Sequence, residues 1–353
     1  MADDFAPIAS TGIGSWPGAD LAEALKINFA EAPELPYLPE LPGRGVGADL
    51  IGRGTAVLAD LFFDLQPAGW RLTGAAGHDQ LRARAMLRDD LDQLEEAVQD
   101  YTGPFKISVS GPWTLSASVE RPRGDRALAD YGARREIAQS LAEGVARLTG
   151  EIGRRLPQLE LIIQLDEPLL PAVLAGSVST ASGFSHHRKV DVAEVSGALT
   201  EVLTAVDRAR SGTARGSGMP MTWLHCCAPD VPVKLIKDAG FGALAIDLDQ
   251  LGAGDRATVA WDRIGQAMTD GMWLGAGALA TSTGAATDRT WSADRIAQRV
   301  LRSIRTLGLE PDVAGRMIIT PACGLARFDQ RSAVQAMRAV RKAADIVTDQ
   351  LAD

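Results

Sequence analysis

The chain has 353 residues, 46% of them hydrophobic and 23% charged, which allows a sizeable buried core and excludes a disordered or fibrous polypeptide. Lys and Arg number 36 against 45 Asp and Glu, a net charge of −9 with no basic cluster, so nucleic acid is not an expected partner. No apolar run reaches the roughly 18 residues of a membrane span, and the opening MADDFAPIAS has neither a basic start nor an apolar stretch, so a cytoplasmic location away from membranes is expected.

Short apolar runs recur along the chain at residues 9–14, 61–66, 105–110, 159–166, 219–226, 243–248, 272–278 and 317–320. Helical stretches separate them. One is expected to start at Asp230 and stop at Gly240, and another follows Asp329. Strand and helix in alternation predict a parallel sheet. An open doubly wound sheet competes, but no GxGxxG or GxxxxGKS turn follows the first strand. The expectation is therefore an α/β chain folded as a single (β/α)8 TIM barrel over residues 1–353, with N-terminal and loop insertions. Residues 33–53, with four prolines and four glycines, read as one such loop, as do 176–189 and 209–218.

The chemistry-bearing residues cluster at the ends of these runs. In TGIGSWPG, Gly14 and Ser15 follow the first strand, where backbone amides can bind a carboxylate. Trp113 in SGPWTLSAS either walls a pocket or covers the barrel. The run LIIQLDEPLL ends in two acids, and strand neighbours point to opposite faces. Asp166 shares parity with Gln164 and is expected to face inward, where it holds a substrate ammonium or caps backbone amides. His186 and His187 lie in a loop, as proton-transfer groups or as exposed side chains.

TWLHCCAPD carries the strongest local signal. His225 and Cys227, two apart in a strand, share a face, while Cys226 points into the packing. Cys323 in IITPACGLA ends the last run, and Asp247 or Asp249 ends ALAIDLDQ. The three cysteines make a poor disulfide framework and suit a reducing compartment. Imidazole, two thiolates and a carboxylate form a reasonable zinc set. Ligands spread over separate strands suit a site built for chemistry rather than a zinc knuckle.

Taken together, IGSWPG, SGPWTL, IIQLDEP, LHCC, the carboxylate after ALAI, and TPACGL resemble, in order, the catalytic barrel of cobalamin-independent methionine synthase. The likeness runs from about Thr11 to Leu325. It implies a Zn2+ methyltransferase that methylates homocysteine, with His225, Cys227 and Cys323 as zinc ligands and Asp247 where the family usually has Glu. It further implies Asp166 as the acid for the amino group, Gly14 and Ser15 at the carboxylate, and Gln66 where the family has a second acid for the amine. The family's second, N-terminal barrel and its His segment after the seventh strand have no counterpart here. The resemblance thus favours methylcobalamin or a corrinoid protein as donor over 5-methyltetrahydrofolate. Methylation of another thiol, uroporphyrinogen decarboxylase-like chemistry and a noncatalytic zinc barrel are the alternatives.

Overall fold

The computed structural model describes residues 8–210, 216–252, 255–282 and 291–352. Its strands are β1 (Ala9–Ser10), β2 (Phe62–Gln66), β3 (Gly69–Thr73), β4 (Gly103–Ser110), β5 (Leu159–Asp166), β6 (Thr222–Cys226), β7 (Ala243–Asp247), β8 (Trp273–Leu279) and β9 (Met317–Pro321). The helices are α1 (Leu21–Glu31), α2 (Leu50–Val57), α3 (His78–Ala97), α4 (Pro112–Ser118), α5 (Tyr131–Arg155), α6 (Leu170–Ala175), α7 (Val192–Ala209), α8 (Val233–Ala239), α9 (Asp255–Thr269), α10 (Ala293–Leu307), α11 (Pro311–Ala314) and α12 (Gln330–Ala352). None of them is long and apolar enough to cross a membrane.

Local chemistry sets the helix ends. Side chains of Asp20, Asp49, Asp130, Asp191 and Ser292 accept backbone N–H groups at the starts of α1, α2, α5, α7 and α10. Gly176, Gly240 and Gly308 end α6, α8 and α10 in the left-handed conformation that a side chain disfavours. Asp329 caps α12 through Ser332 N, as expected. The expected start at Asp230 is not used: α8 begins after Pro232 with no side-chain cap.

Seven strands form one curled parallel sheet in the order β1-β9-β8-β7-β6-β5-β4. Two bodies of apolar side chains surround it. The larger packs strands against helices, and a smaller one, with Ala9, Ile13, Leu35, Ile162, Trp223, Ala243, Ala245 and Ile318, fills the concave side.

The sequence places the second strand at 61–66, but that run forms β2, which pairs antiparallel with β3 in a separate two-stranded sheet. Gly69 turns the hairpin at φ +126. The stretch read as a proline-rich loop supplies the link between the edges of the large sheet. Lys106 N donates to Pro36 O at 2.9 Å and Leu38 N to Lys106 O at 2.9 Å, on the β4 side. Glu40 N donates to Gly14 O at 3.1 Å and Trp16 N to Glu40 O at 2.7 Å, on the side following β1. Prolines 36 and 39 have no N–H, so this segment pairs only at intervals and carries no strand-like alternation.

Candidate metal and substrate site

Every parallel strand points its C-terminal end to one side of the sheet, where side chains from different strands converge. β5 and β6 pair Asp166 directly with His225. His225 Nδ1 lies 2.9 Å from Asp166 Oδ1, and both side chains are buried. An ionised carboxylate only accepts, so His225 carries its proton on Nδ1 and turns Nε2 the other way. Cys227 follows one residue beyond β6, and Cys323 two beyond β9. Their Sγ atoms stand 3.3 Å apart.

One ligand atom each from His225, Cys227 and Cys323 lies within 4.8 Å of the others. Tetrahedral zinc with Zn–S bonds near 2.3 Å places two sulfurs about 3.8 Å apart, so the donors fit such an ion in type, and the sulfurs at 3.3 Å need to part by only about 0.5 Å. The three residues could hold a metal. The contact between the two thiols lowers that of Cys323, and the same contact together with burial raises that of Cys227. Burial opposes a charge on His225, yet hydrogen bonds to Asp166 and Cys323 outweigh it and raise the imidazole. Cys226 points into the core, and burial raises its thiol to about 12.

Asp247 stands outside this group. Its Oδ1 accepts from Asp249 N at 2.8 Å and its Oδ2 from Gln250 Nε2 at 3.2 Å, capping the short 3-10 turn after β7. Asp249 pairs with Arg299. A cavity of ≈ 830 Å³ opens beside Ala228 and Asp247, between β7, α8 and α9, and His225, Cys227 and Cys323 do not line it.

The two acids ending β5 part as strand geometry requires. Asp166 turns to His225, whereas Glu167 turns outward and accepts from Trp113 N, Thr114 N and Thr114 Oγ1 at the start of α4. Trp113 is part of that packing: its indole N–H donates to Val195 O on α7 at 3.2 Å, and the buried ring lines a cavity of ≈ 210 Å³ between α5 and α7 that His225, Cys227 and Cys323 do not share. His186 is exposed, and His187 Nε2 faces Asp125 Oδ1 at 3.3 Å in the loop region beside α4.

Gly14 and Ser15 adjoin the metal group through the Cys323 loop. Leu325 N donates to Ser15 O at 2.8 Å, and a Cβ on Gly324 would sit 1.9 Å from Ser15 Oγ, so only glycine fits beside Cys323. Among the described residues, no hydrogen bond joins Gln66 to this group. It ends β2 in the outlying hairpin, and its amide donates to Asp64 Oδ2.

Among the buried charges that escaped the sequence reading, Glu40 and Lys106 both feel the charge of Asp166. Glu40, in the linking segment, reaches toward Gly14 and is paired with Arg53 at 3.4 Å, which Asp90 holds in turn at 2.8 Å. Burial raises Glu40 to about 7, with Arg53 opposing and the Asp166 charge adding to the rise. Lys106 on β4 is fully buried, with its ammonium over the Tyr37 and Trp223 rings. Burial pulls it down to about 7 against the raising influence of Asp166 and Glu40. The parity of Phe105, Ile107 and Val109 against Lys106, Ser108 and Ser110 was the available signal: a polar face in a strand covered by helices must look into the sheet's concave side.

No curated protein sequence matches the chain. Among solved structures, a B12-independent methionine synthase from Shewanella sp. W3-18-1, in complex with selenomethionine, is similar at 13% identity and TM-score 0.58, with 98% of this chain and 99% of that chain covered. That likeness concerns the fold. The sequence itself matches the family described as cobalamin-independent synthase, catalytic domain, over residues 8–346. Nearly the whole chain is thus accounted for, and it belongs to the cobalamin-independent methionine synthase catalytic-domain family, an enzyme family of methyltransferases.

Proposed function

We propose that the chain methylates the thiol of homocysteine to give methionine, with zinc held by His225, Cys227 and Cys323. The observation that carries this reading is the convergence of an imidazole and two thiols within 4.8 Å, directly beside the buried carboxylate of Asp166. Bound zinc would supply the substrate sulfur as a thiolate at neutral pH, where a free thiol, with a pKa of roughly 8.5, is mostly protonated. Three protein ligands leave a position for that sulfur, as in catalytic rather than structural zinc sites.

The residues around the group account for an amino acid rather than a simple thiol. Asp166 and Glu40 provide negative charge for an α-ammonium group, and Glu40 takes the place expected of Gln66. The backbone at Gly14 and Ser15, packed against the Cys323 loop, serves the carboxylate. Asp166 also fixes the His225 ring through Nδ1. In this reading residues 36–40 stand in for the missing eighth strand, so that the chain forms one (β/α)8 barrel domain.

The donor assigned here is 5-methyltetrahydrofolate ahead of methylcobalamin, the reverse of the order expected from sequence, because the family matched is the cobalamin-independent one. Zinc-loaded protein given homocysteine with each donor in turn, read as methionine formed, tests both parts. Methionine from methylcobalamin alone would overturn the donor order. No methionine from either would overturn the reaction.

A further inference from the structure

We propose that Lys106 is a positioning residue for both substrate-binding elements, holding the acid that receives the amino group and the backbone that receives the carboxylate. The inference rests on the homocysteine reading and adds to it a single buried cation on which both subsites hang. Lys106 Nζ donates to Gly12 O at 2.8 Å, Ile13 O at 3.1 Å and Gln164 Oε1 at 2.6 Å. Three acceptors match the three hydrogens of an ammonium group, and no carboxylate is among them. These bonds satisfy buried acceptors, and the identity of the acceptors ties the lysine to both subsites.

The first arm runs through Gln164. With Oε1 taken by Lys106, the amide presents Nε2 to Asp166 Oδ1 at 2.8 Å. Asp166 Oδ1 then receives both Gln164 and His225, and no described residue donates to Oδ2. Oδ2 is thereby left for an ammonium group.

The second arm runs through the backbone. Ile13 O accepts from Lys106 Nζ, Ser108 Oγ at 2.9 Å and Gln164 Nε2 at 2.8 Å. In a trans peptide the carbonyl of one residue and the N–H of the next point in opposite directions. Lys106 lies four residues before the C-terminal end of β4, deeper in the sheet's concave side than Asp166, which pairs with Ser110. Drawing the Ile13 carbonyl down toward Lys106 therefore turns the Gly14 N–H up toward the strand ends, where the metal group lies.

Calorimetric binding to the zinc-loaded full chain tests this with four thiols: homocysteine, 3-aminopropane-1-thiol, 4-mercaptobutanoate and butane-1-thiol. Lys106→Met is expected to weaken the first three by about 10- to 100-fold, the usual scale for outer-shell groups, and to leave butane-1-thiol affinity and zinc content unchanged. Gln164→Met, which keeps Lys106, should weaken the aminothiol and spare 4-mercaptobutanoate, and it decides the matter if Lys106→Met does not fold. A wild-type preference for homocysteine that survives in Lys106→Met, or wild-type aminothiol affinity in Gln164→Met, overturns the role of Lys106 alone. No preference for homocysteine over butane-1-thiol in the wild type overturns the homocysteine reading, and the role of Lys106 with it.

Discussion

Asp166 and His225 face each other across neighbouring strands at the register where β5 pairs with β6, and their 2.9 Å contact ties the acid proposed for the amino group to a candidate metal ligand. The two duties of Asp166 can be separated by substitution. Asp166→Asn keeps an oxygen that can accept from His225 Nδ1 but removes the charge. Zinc content at saturating metal should then hold, while homocysteine binding weakens by about 2 to 5 kcal/mol, the range for unpairing a desolvated charge. Asp166→Ala also frees the imidazole, and zinc affinity should fall about 10- to 100-fold. Equilibrium dialysis against a zinc chelator reads the second effect separately from the first. Unchanged zinc affinity in the alanine variant would mean that His225 is oriented by other contacts.

Glu167, one residue on, turns away from His225 to the start of α4. Its carboxylate closes three hydrogen bonds at the start of α4, and a Cβ on Gly111 would lie 2.3 Å from its Oε1. Glu167→Ala strands two buried backbone N–H groups and should cost about 3 kcal/mol, as for loss of hydrogen bonds to a charged acceptor. Denaturant unfolding measures this, and zinc content of the folded fraction should be unaffected. A stability loss below about 1 kcal/mol would show that water replaces the carboxylate.

The opposite fates of Asp166 and Glu167 were legible in the sequence because strand parity alone separates them. The shared face of His225 and Cys227 was legible for the same reason. Strand parity has no hold on residues 36–40, where prolines interrupt both the hydrogen bonds and the alternation, and the segment's role exists only through its partners Gly14 and Lys106. The misplaced second strand follows from this: 61–66 was the next run with β character, and it does form a strand, but in a hairpin. Glu40 went unread with its segment, so the sequence offered only Gln66 at the position where the family has a second acid. Asp247 shows a further limit: an acid at a strand end can serve a metal or cap the next turn, and only the turn after β7 decides between them.

Glu40 and Gln66 make a paired test of where the amine is received. Glu40→Gln removes the buried charge and should raise the homocysteine KM at least tenfold, since loss of a buried partner typically costs about 2 kcal/mol or more. The zinc content should not change, because Glu40 is not one of the clustered donors. Gln66→Ala, in the outlying hairpin, should leave KM and kcat at wild-type values. Steady-state kinetics on both variants decide it, and a raised KM confined to Gln66→Ala would return the amine site to the hairpin.

The metal assignment is the most direct to test, because its donors come from two distant parts of the chain. Purified protein should contain about one zinc per chain, and Cys227→Ser and Cys323→Ser should each lose it on dialysis, since a hydroxyl does not replace a thiolate toward zinc. Loading also has a proton signature. In the metal-free site the Cys227 thiol and the His225 imidazole are both shifted toward their protonated forms, whereas Cys323 is shifted toward thiolate. Zinc needs thiolates and a neutral imidazole, so binding near neutral pH should expel about two protons, and affinity should rise with pH until those groups deprotonate unaided. Titrating weakly buffered apoprotein with zinc and following released acid measures this number. Asp247→Ala should release the same number and bind zinc with wild-type affinity, because that carboxylate caps the turn after β7. Stoichiometric zinc in either cysteine variant, or release of no proton on loading, would be incompatible with a site built from His225, Cys227 and Cys323.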